Sequence, residues 1–215
     1  KILTGDDMYF NQITGFGKAI GNVKLDDPAE NRYILGGYGE IYEKTDSAVI
    51  TEKPYAIKVL KTDSVYIAAK KILAYQKLDS KTGQKKSYMR AFKQARMFKT
   101  NAQGRSDSLA YNETDGVMHF VGKPIFWAGE RQVTGDTIRA YSTPDMQRID
   151  SVRVIGDAFA ISKVDSLNLK DEFNQVKRKN MTIYFQEGQL KEARVKGNAQ
   201  AITYADKKKK KTKKV

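Results

Sequence analysis

Apolar and polar positions alternate along this chain in short runs, and the runs come in pairs around a turn. In Asp150–Phe159, "DSVRVIGDAF", Val152 and Val154 point one way while Arg153 points the other, the period of a strand with one face buried. The pairing recurs six times. A small or polar residue is followed four or five positions later by an aromatic: Asp6 to Phe10, Gly37 to Tyr42, Lys70 to Tyr75, Asp107 to Tyr111, Asp136 to Tyr141 and Asn180 to Tyr184. A turn signal follows each aromatic: Thr14-Gly15, Thr45-Asp46, Thr82-Gly83, Asp115-Gly116, Pro144-Asp145 and Glu187-Gly188. A second apolar run follows each turn. In four units that run contains a glycine: Gly21-Asn22, Gly122-Lys123, Gly156-Asp157 and Gly197-Asn198.

Each unit therefore predicts strand, turn, strand, and six units predict about twelve strands of ~5–6 residues. Ser64–Leu78, "SVYIAAKKILAYQKL", is the one stretch that also suits an amphipathic helix, and its place in the repeat favours a strand. A glycine inside a strand weakens packing, so its recurrence marks a bend or bulge. Bent strands stacked in register predict an all-β, elongated, folded-over jelly roll (a β-taco) of about six stacked repeats. Each unit buries its apolar face only against neighbours, and both ends expose unpaired edges. The interior of such a sheet is a continuous apolar trough, a place for lipid.

Composition narrows the choices. The 215 residues carry a formal charge of +14, of which +7 comes from the seven lysines of Lys207–Val215. That tail has nothing to bury and is expected to be disordered; the rest of the chain is still basic and favours an anionic partner. There is no cysteine, hence no disulfide or thiolate metal site, and no apolar run near the ~20 residues of a membrane helix. The chain begins at Lys1, which is read as a processed protein with its signal peptide removed.

Little points to an enzyme. His119 is the only histidine, so a multi-histidine metal centre cannot be assembled, and its place in a strand beside Phe120 suits packing or a rim better than a catalytic base. "GFGKAIG" (Gly15–Gly21) imitates a phosphate loop with the wrong glycine spacing. Asp6-Asp7 and Asp26-Asp27 fall at a strand start and in a turn, where aspartate is common anyway. No catalytic residue, cofactor or metal is assigned.

The phrases "GDDMYFNQITGFGKAIGNVKL", "RSDSLAYNETDGVMHFVGKPIFWAGERQVTGDTI" and "VKGNAQAITY" resemble the OstA/LptA family, the lipopolysaccharide-transport proteins of Gram-negative bacteria. The resemblance covers roughly 1–206, as one extended domain or two continuous halves, 1–104 and 105–206. It implies a periplasmic jelly roll that stacks end to end with its own copies or with proteins of the inner- and outer-membrane complexes. Lipopolysaccharide acyl chains would lie in the groove of the resulting bridge. The lining is expected on the second strands: Met118, Phe120, Ile125, Phe126 and Trp127; Val152, Val154, Phe159 and Ile161; and Ile183, Phe185 and Val195. Lys123, Arg131, Arg139 and Arg153 would meet lipid phosphates at the groove mouth. Thr82–Gly104 departs from the short repeat and reads as an insertion holding a long basic hairpin. Its "KKSYMRAFKQARMFK" carries the alternative of a single-strand nucleic-acid binder. A scaffold that polymerises through its sheet edges is the third reading.

Overall fold

The computed structural model describes residues 1–112, 115–143, 146–164, 172–195 and 199–204. The lysine tail, the Pro144-Asp145 turn and Gly197-Asn198 lie outside the described residues. The chain is all-β, in one antiparallel sheet of 18 strands. The first nine are β1 (Ile2–Thr4), β2 (Asp7–Asn11), β3 (Phe16–Asp27), β4 (Arg32–Tyr42), β5 (Ser47–Thr51), β6 (Tyr55–Val59), β7 (Ser64–Ala68), β8 (Lys71–Leu78) and β9 (Lys85–Lys99). The remainder are β10 (Ala102–Asn112), β11 (Val117–Val121), β12 (Ile125–Ala128), β13 (Arg131–Thr134), β14 (Thr137–Ser142), β15 (Ile149–Lys163), β16 (Phe173–Gln186), β17 (Gln189–Val195) and β18 (Gln200–Ile202). The only helical turns among the described residues are two 3-10 turns, Pro28–Glu30 and Glu43–Thr45. Ser64–Leu78 is strand and not helix, as the repeat predicts, but it forms two strands where one was expected.

The sheet is two ladders that share six long strands. In the first ladder the order is β2-β3-β4-β5-β8-β9-β10-β11-β14-β15-β16-β17. In the second it is β1-β3-β4-β6-β7-β9-β10-β12-β13-β15-β16-β18. Twelve strands at ~4.8 Å make each ladder about 50 Å long. More strands appear than the twelve predicted because β3, β4, β9, β10, β15 and β16 cross from one ladder to the other. Their second halves form sheet that the turn signals do not announce.

The crossing points are kinks. Register slips between Ile20 and Val23, Ser106 and Ser108, and Ile155 and Ala158. Consecutive residues with positive φ sit there: Gly21-Asn22 (71° and 46°) and Gly156-Asp157 (73° and 41°) inside long strands, and Gly122-Lys123 (83° and 50°) between β11 and β12. The left-handed region is open to glycine and tolerated by Asn and Asp. The Gly-Asp phrases close the same corners from the neighbouring strand. Asp6 N–H donates to the carbonyls of Ile20 and Gly21, and Asp136 N–H to those of Ile155 and Gly156. The repeated Gly-Asp is thus a corner piece.

Thr82–Gly104 is no insertion. Lys85–Lys99 is one long strand in the middle of both ladders, paired with β7, β8 and β10. Its basic residues disguise a run of alternate inward positions, Ser87, Ala91, Ala95 and Met97 among them, all buried.

A candidate lipid groove between two arms

Following the register through the first ladder gives one inward row: Met8, Ala19, Gly39, Ile50, Ile72, Ala91, Leu109, Phe120, Ile138, Val154, Met181 and Val195. Through the second it gives Leu3, Leu25, Ile34, Ala56, Ile67, Met97, Gly104, Phe126, Val133, Ala160, Val176 and Ala201. Neither row contains a polar side chain. The two rows meet. Phe120 of the first ladder and Phe126 of the second pack edge to face with ring centroids 5.8 Å apart. A Cβ on Gly104 would lie 2.5 Å from Phe120 Cε1, so a glycine is what lets the Phe120 ring reach the opposite arm. The arms therefore enclose one apolar cluster.

Of the expected lining, Met118, Phe120, Phe126, Val152, Val154 and Ile183 are buried in this cluster, with Phe185 and Val195 packed against its margin. Ile125, Trp127, Phe159 and Ile161 are corrected to the outer face. Phe126 and Val133 take the inward positions in β12 and β13, and Ala158 and Ala160 in β15, so their neighbours turn outward. Trp127 donates from Nε1 to Gln132 Oε1 at 2.9 Å, and Arg105 lies over its ring at 6.0 Å. The kink at Gly156-Asp157 keeps inward positions on even numbers throughout β15, whereas the expected set changes phase there.

The phosphate rim is also redrawn. Lys123 sits at a corner, on the closed side of the fold. Arg139 and Arg153 are paired opposite each other in β14 and β15, in register with His119, on the outer face of the first arm. Only Arg131, at the turn joining β12 to β13, lies at the free end of a ladder. Burial and then the adjacent Arg139 guanidinium lower the His119 pKa below its ordinary value, so the ring tends to stay neutral.

The most apolar cleft between the arms lies in the N-terminal half, a region the expected lining missed. Leu25, Ile34, Ala56, Val65 and Ile67 line it from the second arm, and Ala74, Met89 and Tyr111 from the first. The signal was available in the alternation of "SVYIA" (Ser64–Ala68), which carries no glycine and no repeated phrase, whereas "YAIKV" (Tyr55–Val59) has its larger apolar residues on the outward phase. The cavity within this cleft is only about 70 Å³. It is a narrow slot.

Polar groups edge the slot. Arg32 donates to Asp27 Oδ2 at 2.8 Å and, across the gap, to Ser87 Oγ at 2.9 Å, and Gln76 donates to the same hydroxyl at 3.0 Å. Lys1 and Lys58 also reach this edge, Lys1 paired with Asp46 at 2.8 Å and Lys58 with Glu30 at 3.7 Å. From the β14–β15 connection, Met146 is 3% exposed and plugs one end of the slot, while Thr62, in the β6–β7 turn of the second arm, donates to Gln147 Oε1 at 3.2 Å. Beyond Met146 the gap reopens between Ala102 and Ala128 on one side and Ile149 and Phe185 on the other.

The two ends differ from the middle. β1 and β2 pair only with β3, and β17 and β18 only with β16. Met8 and Phe10 occupy inward positions yet are 52% and 48% exposed. No helix among the described residues is long and apolar enough to cross a membrane. Comparison with protein-family models and with curated proteins finds no match for this chain.

Proposed function

We propose that the chain is a folded-over β-jelly roll, or β-taco, of six stacked strand-turn-strand units. We infer that it carries lipopolysaccharide or a related lipid through the periplasm, as one segment of a bridge between inner- and outer-membrane complexes. Its role is transport without catalysis. The observation that carries this reading is the pair of apolar rows running from edge to edge through both arms. Moving an acyl chain out of water gains about 0.8 kcal/mol per CH₂, on the order of 10 kcal/mol for a long chain. A carrier must offer that gain at every step, and rows without a polar side chain do so along their whole length. Acyl chains enter at the slot, whose walls are mostly apolar, and phosphates meet Lys1, Arg32 and Lys58 at its lip.

Lipid extracted from the purified protein, identified by mass spectrometry, tests the class of cargo. Met89→Asp, in the slot, is expected to abolish lipid capture, and Phe159→Asp, on the outer face, to leave it intact. Equal capture by both variants would overturn the placement; a protein with no lipid from cells that make lipopolysaccharide would overturn the function.

One observation favours the nucleic-acid alternative: Tyr88 and Phe92 alternate with inward residues of the first half of β9 and so share the outer face of the first arm with Arg90. Retention of single-stranded nucleic acid that falls steeply with salt would select it.

A further inference from the structure

The outer face of the first arm carries a charge arrangement that folding alone does not favour. His119, Arg139, Arg153, Thr182 and Arg194 stand in one cross-strand row over β11, β14, β15, β16 and β17. Arg139 and Arg153 are direct partners, and like charges placed opposite one another destabilise a sheet. Among the described residues neither has an ion-pair or hydrogen-bond partner, and Arg139 Nε is buried without one. The nearby carboxylates are committed elsewhere: Glu192 accepts from Arg194 at 2.7 Å, and Asp115 from Asn112 at 2.6 Å. Beside Arg153 the surface dips into a depression lined by Arg178, Lys179 and Arg194, with the polar side chains of Asn180, Thr182 and Tyr184. Among the described residues no carboxylate lines it.

We propose that this depression and the adjoining Arg139 bind a phosphate group, a monoester or diester, on the outside of the fold and separate from the apolar slot. Guanidinium pairs suit tetrahedral oxyanions because each presents two parallel N–H donors. A phosphate set between Arg139 and Arg153 turns a repulsive pair into a bridged one and supplies an acceptor for the buried Nε. The Thr182 hydroxyl, next in the row, adds a neutral donor. The inference does not depend on acyl-chain transport.

The test uses the whole chain, the Arg139→Gln/Arg153→Gln double variant, and inorganic phosphate. Without phosphate the variant is expected to melt roughly 1–3 °C above the natural protein, because the repulsion is gone. Phosphate at about 20 mM is expected to raise the melting midpoint of the natural protein by a few degrees beyond sodium chloride of equal ionic strength, to shift the Thr182 amide resonance, and to do neither in the variant. The lysine tail is common to both proteins and cancels. Equal shifts in both proteins, or a chloride effect as large as that of phosphate, would overturn the site. Cosedimentation with phosphatidylglycerol vesicles identifies the source. Binding lost in the double variant assigns a lipid headgroup; equal sedimentation alongside variant-sensitive phosphate binding assigns a soluble phosphate ester.

Discussion

Asp63 shows how a single side chain can tie two turns together. Burial alone would push its carboxyl up, but the Ser64 backbone N–H, the Lys99 ammonium and the Thr100 hydroxyl outweigh that and hold it at about 2. Lys99 lies 3.0 Å away and is almost wholly buried. A carboxyl whose pKa is lower folded than unfolded stabilises the fold above its unfolded value. That stabilisation, on the order of 2 kcal/mol, is lost as pH falls from about 4 toward 2. Asp63→Asn is expected to cost about 3 kcal/mol at neutral pH, because it strands a buried ammonium, and to flatten the acid limb of a stability-against-pH curve from urea melts. An unchanged acid limb would remove Asp63 from the account. A second residue-scale strain lies in β9, where Lys93 and Gln94 adopt φ of 61° and 56° without a glycine. Lys93→Val is expected to cost about 1–2 kcal/mol, and Lys93→Gly to lower the melting midpoint not at all.

Among the elements, the corners decide the architecture. Asp107 donates its N–H to Gly122 O at 3.1 Å, and a Cβ on Gly122 would fall 2.6 Å from Asp107 Cβ. Gly122→Val adds that clash to the cost of a β-branched residue at φ 83°. About 2 kcal/mol is expected, a fall of roughly 4–8 °C in calorimetric midpoint, against about 1 kcal/mol for Gly83→Ala, where the added Cβ meets nothing and the only cost is that of a side chain at φ 68°. The turns and the glycine corners were legible in the sequence because they need particular residues: five of the six predicted turns close first-ladder hairpins, and the sixth lies outside the described residues. The second ladder was not legible. Strands such as β6 and β13 are joined through Glu52–Pro54 and Gly135-Asp136, links too varied to read as one motif. Lys85–Lys99 looked foreign for the same reason, since its corner is made by Lys93-Gln94. The lining was only half legible, because alternation fixes which residues share a face but not which face is inside once a strand has kinked.

Considered whole, the molecule is a stack with no natural stopping point. β2 runs from corner to rim and β17 from rim to corner, so two copies placed end to end would set the β17 edge of one antiparallel to the β2 edge of the next. β1 and β18 stand in the same relation in the second ladder. Each inward row would continue across the joint, Val195 passing to Met8 and Ala201 to Leu3. Exposed strand edges are ordinarily guarded by inward charges, prolines or bulges. β2, with the sequence DMYFN, instead presents half-exposed Met8 and Phe10 on its inward phase. A carrier that must hand lipid to its neighbour needs such a bare edge; a solitary binding protein would be better served by a charged one. Met8→Asp places a carboxylate at the end of the apolar row, where it remains solvated in the single molecule and is buried only by a second copy or partner. Sedimentation velocity is therefore expected to show concentration-dependent chains for the natural protein and association roughly tenfold weaker or more for Met8→Asp, with little change in melting midpoint. If Met8→Asp associates as readily as the natural protein, copies do not join through this edge, and the apolar rows end where the chain ends.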